Sequence, residues 1–273
     1  MIDTATTLFA LFGDPVAQSL GPAMHNAAFA AMGLNAAYLA FRVKDLAGAI
    51  AGFKALGLAG ASVTIPHKRR VMDFLDEIDP LAEQIGAVNT LVTRNGKLIG
   101  HNTDCQGALE AVEASVRVRD KHVALIGAGG AARAVGFGLK AAGATLTVYN
   151  RSSTAGQALA KDIGAEFQPL CRFGQAPCDI VINATSTGMV PDTGTMAVDP
   201  QALTPETVVM DLVYNPRRTR LLAAAQARGC ATIEGMEMFV RQGAAQIGLW
   251  TGRSAPLTLM RRVVALAQDK GSQ

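Results

Sequence analysis

The sequence predicts an α/β protein made of two α/β units. Short apolar runs alternate with helix-period segments along nearly the whole chain, which favours strands covered by helices. A glycine-rich turn joins one of those runs to a helix. The length of 273 residues gives between one and two domains at about 150 residues each.

The elements follow in order. Thr7 to Phe12 reads as a strand, and Pro22 to Met32 as a helix stopped by Gly33. Ala37 to Val43 is a strand and Asp45 to Leu56 a helix. Ala61 to Ile65 is a strand broken by Pro66, which is expected to open another helix. Thr90 to Arg94 and Lys97 to Gly100 flank Asn95-Gly96, the signature of a tight hairpin. Asp104 to Ala114 is helical. After a charged, patternless stretch at 116–120, a second unit begins with the buried strand His122 to Ile126. The glycine-rich turn, a helix to Ala142 and a strand at Thr145 to Asn150 come next. Further strands are expected at 180–183, 208–211 and 231–234, and final helices at about 237–250 and 258–268.

Composition excludes several classes of function. Hydrophobic residues make up 49% and charged residues 17%, so the chain is globular rather than disordered. The net charge of +3 is mild, and the longest basic run is Lys68-Arg69-Arg70, so nothing demands nucleic acid. No apolar run reaches the 18 or so residues of a membrane helix, and the start lacks a basic n-region. The four cysteines form no CxxC pair and the four histidines are scattered, so no metal site is expected. Free thiols suit a cytoplasmic protein.

Gly127-x-Gly129-x-x-Ala132 matches a dinucleotide fingerprint. The first small residue permits a tight turn, the second lets backbone approach a pyrophosphate, and the third lets helix and strand pack closely. The next strand ends in Asn150-Arg151, where an NAD site usually carries an acid for the ribose hydroxyl. Arg151 is instead a planar fork suited to a 2′-phosphate. NADP is therefore the expected cofactor, with NAD as the weaker alternative.

In the first unit, Lys68 lies just past a strand end and Asp104 at a helix start. Such a pair can exchange a proton with a substrate hydroxyl. From spacing alone the plainer reading wins, with Asp104 as a helix cap and Lys68 as a solvated charge. His25 and His67 read as structural residues.

The motifs together resemble the shikimate dehydrogenase family, including its quinate and aminoshikimate branches. They are Gly13-Asp14-Pro15-Val16-Ala17-Gln18-Ser19, Val63-Thr64-Ile65-Pro66-His67-Lys68, Gly86-Ala87-Val88-Asn89-Thr90, Asn102-Thr103-Asp104, Gly127-Ala128-Gly129-Gly130-Ala131, Asn150-Arg151-Ser152, Asn183-Ala184-Thr185-Ser186-x-Gly188-Met189, Asp211-x-x-Tyr214-x-Pro216 and Gly235-Met236-x-Met238-x-Val240-x-Gln242. They span nearly the whole chain in family order.

The resemblance implies a discontinuous substrate-binding catalytic domain, 1–115 plus 238–273, and a Rossmann-type NADP domain, 116–237. It implies Lys68 and Asp104 as the catalytic pair, and Ser19, Thr64, Asn89, Tyr214 and Gln242 as substrate contacts. Gly127, Ala128, Gly129, Gly130, Ala131, Asn150, Arg151, Thr185, Ser186, Met189 and Gly235 are implied at the cofactor. The expected reaction is reversible hydride transfer between NADP and a ring C–O of shikimate or a close cyclitol acid. A quinate or aminoshikimate dehydrogenase is the alternative, and a ligand-sensing regulator on the same fold the second alternative. The expected partner is a small-molecule substrate, and the chain a monomer or homodimer.

Four positions depart from the family pattern. Gly21 stands where a second hydroxyl usually helps hold the substrate carboxylate. Ser62 replaces an asparagine, Cys105 a glycine, and Ala155 a second basic residue near the 2′-phosphate.

Overall fold

The computed structural model describes residues 2–271. The chain divides into two compact units, one of residues up to Thr103 together with those from Gln242 onward, the other Asp104–Arg241.

The first unit carries β1 (Thr7–Gly13), α1 (Gly21–Ala31), β2 (Ala36–Arg42), α2 (Leu46–Ala55), β3 (Gly60–Val63), β4 (Glu77–Ile78), α3 (Pro80–Ile85), β5 (Thr90–Arg94) and β6 (Lys97–His101). Its sheet runs β2-β1-β3-β5-β6-β4. β1 pairs in parallel with β2 and β3, while the expected hairpin enters antiparallel as β5 and β6. Residues of β1, β3, β5 and α2 close one core around Ala10, Phe12, Phe53, Val63 and Leu91.

Then come α4 (Thr103–Glu113), β7 (His122–Ile126), α5 (Gly130–Ala141), β8 (Thr145–Asn150), α6 (Ser153–Ile163), β9 (Glu166–Pro169), β10 (Ile180–Asn183), β11 (Val208–Asp211), α7 (Arg220–Ala227) and β12 (Ala231–Ile233). The second sheet, β12-β11-β10-β7-β8-β9, is parallel throughout. β10 and β11 are buried along their whole length, which is why they read as unbroken apolar runs. The strand order reverses at β7, and such a switch point opens a crevice at the carboxyl ends of the strands. α8 (Gly235–Thr251) and α9 (Leu257–Gly271) close the chain.

Two expectations need revision in detail. Pro66 does not open a helix: Thr64 to Arg69 form turns, followed by a short 3₁₀ helix at Arg70–Phe74. The break between units falls at Thr103/Asp104 rather than 115/116, because α4 buries Ala108, Ala111 and Val112 beside Val123, Leu125 and Leu139. The later break falls at Arg241/Gln242, inside α8, rather than at 237/238.

α8 is anchored on the first sheet by Trp250, whose Nε1 donates to the Leu91 carbonyl at 2.9 Å. A Cβ on Gly60 would overlap the Trp250 indole. Gly60→Ala is therefore expected to cost about 1–3 kcal/mol by overpacking. A denaturant midpoint equal to wild type would show that the indole yields freely.

Candidate active site

Four strand ends of the first unit build a polar cluster. Lys68 sits on a loop pinned at three points. The Thr64 amide donates to the Phe12 carbonyl at 2.9 Å, His67 Nε2 meets the Val43 carbonyl at 2.8 Å, and the Val88 amide donates to the Lys68 carbonyl at 2.8 Å. His67 is thus structural, and it fixes the residue that precedes Lys68. His25 is structural too: it is buried, stacks on Tyr38 at 4.2 Å, and burial pushes its pKa down to about 4.

Asn89 is the centre of the cluster. Its Oδ1 accepts from the Thr90 hydroxyl at 2.7 Å and from the Thr103 amide at 2.8 Å. Those bonds fix the amide orientation, so Nδ2 faces the Thr103 hydroxyl at 3.0 Å and Gln242 Oε1 at 3.5 Å. Asn89, Thr103 and Gln242 therefore converge, and Asp104 is the residue immediately after Thr103. Asp104 lies inside the first turn of α4 rather than capping it, where a carboxylate suits the helix dipole. Ser19 and Thr64 are half-buried on the loops after β1 and β3. The Gly21 amide donates to Ser19 Oγ at 3.2 Å.

In the second unit a cleft of about 580 Å³ lies at the carboxyl ends of β7, β8 and β10. Gly127, Asn150, Arg151, Thr185, Ser186 and Met189 line it. Gly127 has φ of +109°, and a Cβ there would collide with Thr185. Glycine is required on both counts. α5 starts at Gly130 with no side chain capping it, and Cβ atoms on Gly129 or Gly130 would meet nothing within 4 Å. Ala128 and Ala131 flank these glycines on the same turn. Open backbone at a helix start fits an anionic pyrophosphate, and Arg151 in the cleft lining fits a phosphate on the ribose. These residues suit a dinucleotide.

Gly235 is buried, and a Cβ would sit 2.6 Å from the Leu212 carbonyl, so close packing demands the glycine. Tyr214 is stacked on Phe239 at 5.2 Å. Cys105 packs on Gly138, and burial, reinforced by the Asp104 charge, pushes its thiol up to about 11. It is a packing residue. Among the described residues no cluster could hold a metal ion, and no helix is long and apolar enough to cross a membrane.

Two groups were not legible as site residues from spacing. Asp211 is fully buried at the end of β11. It accepts from Asn183 Nδ2 at 2.9 Å, the Val213 amide at 3.1 Å and the Thr219 hydroxyl at 2.6 Å. Asn183 Oδ1 in turn accepts from the Thr185 amide at 3.1 Å and hydroxyl at 2.7 Å. One carboxylate thus ties the cleft loop to the Tyr214 loop. Gln246, buried on α8, is the second such group.

Comparison with known proteins agrees with the motifs and the fold. Residues 11–91 match the shikimate dehydrogenase substrate binding domain, 109–220 the shikimate / quinate 5-dehydrogenase family, and 235–265 the shikimate 5′-dehydrogenase C-terminal domain. The shikimate dehydrogenase (NADP(+)) of Moorella thermoacetica is 46% identical over 99% of this chain and 97% of its own. A crystal structure of a shikimate dehydrogenase in complex with NADP+ superposes with a TM-score of 0.94 at 42% identity, covering 99% of this chain and 97% of that one. A ligand-free 5-ketofructose reductase from a Gluconobacter species superposes with a TM-score of 0.89 at 37% identity, covering 97% and 99%. With motifs, fold and relatives in agreement over nearly its full length, the chain belongs to the shikimate dehydrogenase family.

Proposed function

We propose that the chain is an NADP-dependent oxidoreductase that interconverts shikimate, or a close cyclitol acid, and its 3-dehydro form. The observation that carries this reading is the cleft at the switch point, lined by Gly127, Asn150 and Arg151, with Gly127 on the turn that leads into the uncapped start of α5. Bound NADP supplies or accepts hydride; the rest of the chemistry belongs to side chains. Lys68 takes the proton of the reacting hydroxyl in oxidation and returns it in reduction. Asp104 hydrogen-bonds the same hydroxyl and holds the lysine in line. Asn89, Gln242, Thr64 and Tyr214 orient the ring, and Ser19 holds the acid group. Chain connectivity supports the pairing: Val88, bonded to the Lys68 carbonyl, precedes Asn89, and Thr103, bonded to Asn89, precedes Asp104. Residues from Gln242 onward and up to 103 form the substrate domain in this reading, and 104–241 the NADP domain. The chain acts in the cytoplasm on small molecules, in the reaction sequence that leads toward aromatic amino acids.

A second reading, reduction of an uncharged polyhydroxy ketone, is favoured by Gly21 and by the likeness to the 5-ketofructose reductase. Assaying shikimate, quinate, aminoshikimate and 5-ketofructose, each with both cofactors, tests both readings. Activity on shikimate with NADP is expected; no turnover of any of them would overturn the assignment.

Arg151 sets the cofactor preference. It is exposed and forms no ion pair among the described residues, and Ala155 offers no second cation. A charge-assisted bond is worth about 1.5–3 kcal/mol, and solvent screening selects the lower end, about tenfold. Arg151→Ala is expected to erase most of the NADP preference and leave NAD kinetics nearly unchanged. A wild type that prefers NAD would contradict this.

A further inference from the structure

A hydrogen-bond chain with a fixed direction runs through Gln246, Ser62 and Tyr38, close to Ser19. Gln246 Nε2 donates to the Asn89 carbonyl at 3.3 Å and to Thr90 Oγ1 at 3.1 Å. A backbone carbonyl only accepts, so the amide nitrogen must face it, and Oε1 must face Ser62. The Ser62 hydroxyl therefore donates to Gln246 Oε1, at 2.9 Å. Tyr38, finding Ser62's single proton used, donates its own to Ser62 Oγ at 2.7 Å. All three side chains are buried. On the other side of Tyr38, a Cβ on Gly21 would stand 3.5 Å from the tyrosine hydroxyl and 3.2 Å from Ser19 Oγ. Ser19, Gly21, Tyr38 and Ser62 thus form one continuous wall.

The proton count of that wall is short. Each hydroxyl has one proton. Those of Tyr38 and Ser62 are committed, Gly21 has none, and no hydrogen bond among the described residues uses Ser19's. A carboxylate seeks several donors, whereas an uncharged hydroxyl or carbonyl is satisfied by one.

We propose that Gln246 is a specificity-determining residue: by locking the Ser62 proton away from the pocket, it leaves one donor, and the enzyme takes uncharged polyhydroxy ketones and alcohols alongside cyclitol acids. This rests on the proposed dehydrogenase reading, and deepens it. In the reducing direction the carbonyl carbon of such a ketone gains hydride from NADPH. Its C=O π pair takes the Lys68 proton, giving a secondary alcohol and NADP+, and the lysine is reprotonated by water.

The test compares shikimate with the analogue whose carboxylate is replaced by hydroxymethyl. Wild type is expected to favour shikimate by no more than about tenfold in kcat/KM, the size of one charged hydrogen bond at the lower end. Gly21→Ser adds a donor to the wall and Gln246→Leu frees the Ser62 proton. Each is expected to raise the shikimate-to-analogue ratio by about tenfold, mainly through shikimate KM. The ratio cancels any general damage to the site, and the leucine variant reads the same quantity should the serine variant fail to fold. A wild-type preference above about a thousandfold, or a ratio unmoved in both folded variants, overturns the proposal while leaving the dehydrogenase intact. Failure of wild type on both compounds and on quinate would instead strike the parent reading.

Discussion

Lys68→Ala is expected to lower kcat by about 10²–10⁴-fold, the usual contribution of a positioned general acid or base. Substrate KM is expected to change little, because in the proposed reading Asn89, Gln242 and Ser19 hold the substrate without it. The lysine's loop is fixed through Phe12, Val43 and Val88, so its backbone has little freedom once the side chain is gone. Truncation there is expected to remove the proposed proton carrier rather than a piece of scaffold. Cofactor affinity is an independent control: the cleft residues belong to Asp104–Arg241 and Lys68 does not. NADPH titration by fluorescence is therefore expected to give wild-type affinity for the variant. A kcat above about a tenth of wild type would remove Lys68 from proton transfer. A collapse in NADPH affinity would mean that the substitution acts through structure.

β7, β8, β10 and β11 of the second sheet were legible because they are buried almost throughout and three of them end at punctuation: Gly127 after β7, Asn150-Arg151 at the end of β8, Thr185 after β10; β9, only partly buried, went unread. β4 and α3 were not legible either, for a physical reason. β4 has two residues and exists by pairing with β6, and α3 has six residues held by the Asp79 cap at 3.0 Å. Neither is long enough to show a period. Pro66 misled because proline suits a helix start, while the Thr64–Lys68 turn is dictated by bonds to Phe12 and Val43, distant in sequence. Within the site, Asn150 and Arg151 follow from the strand-end rule. Gly235 came with its motif, yet its smallness serves packing against Leu212. Gln246 could have been suspected as an amide four residues after Gln242 on the same helix. What it does depends on Ser62, Asn89 and Thr90, more than 150 residues away, which no local spacing reveals.

Asp211 offers the second large effect, and its two substitutions are expected to part sharply. Asp211→Ala leaves Asn183 Nδ2, the Val213 amide and the Thr219 hydroxyl without their shared acceptor. Removing one member of such a buried network costs about 3–5 kcal/mol. The loop carrying Thr185 and Ser186 loosens with it, so KM for NADP is expected to rise as well. Asp211→Asn keeps the shape. Its Oδ1 still accepts from Asn183 and Val213, and its Nδ2 donates to Thr219 once that hydroxyl turns its own proton away. Burial raises the Asp211 carboxyl above its ordinary 3.8, outweighing the bonds from Thr219, Val213 and Asn183 that pull it down. The fold therefore holds the proton more tightly than the unfolded chain does. Between 3.8 and the raised value, the Asp211 contribution to stability falls as pH rises, because the ionised carboxylate carries the cost of burial. The asparagine variant has no such proton, so the stability of wild type relative to it is expected to decline with rising pH across that window and then level off. The other carboxylates are common to both proteins and cancel in the difference. Urea unfolding of the three proteins at several pH values decides the matter. An alanine variant within about 1 kcal/mol of wild type, or an asparagine variant as damaged as the alanine one, would show that the Asp211 network does not hold the two loops.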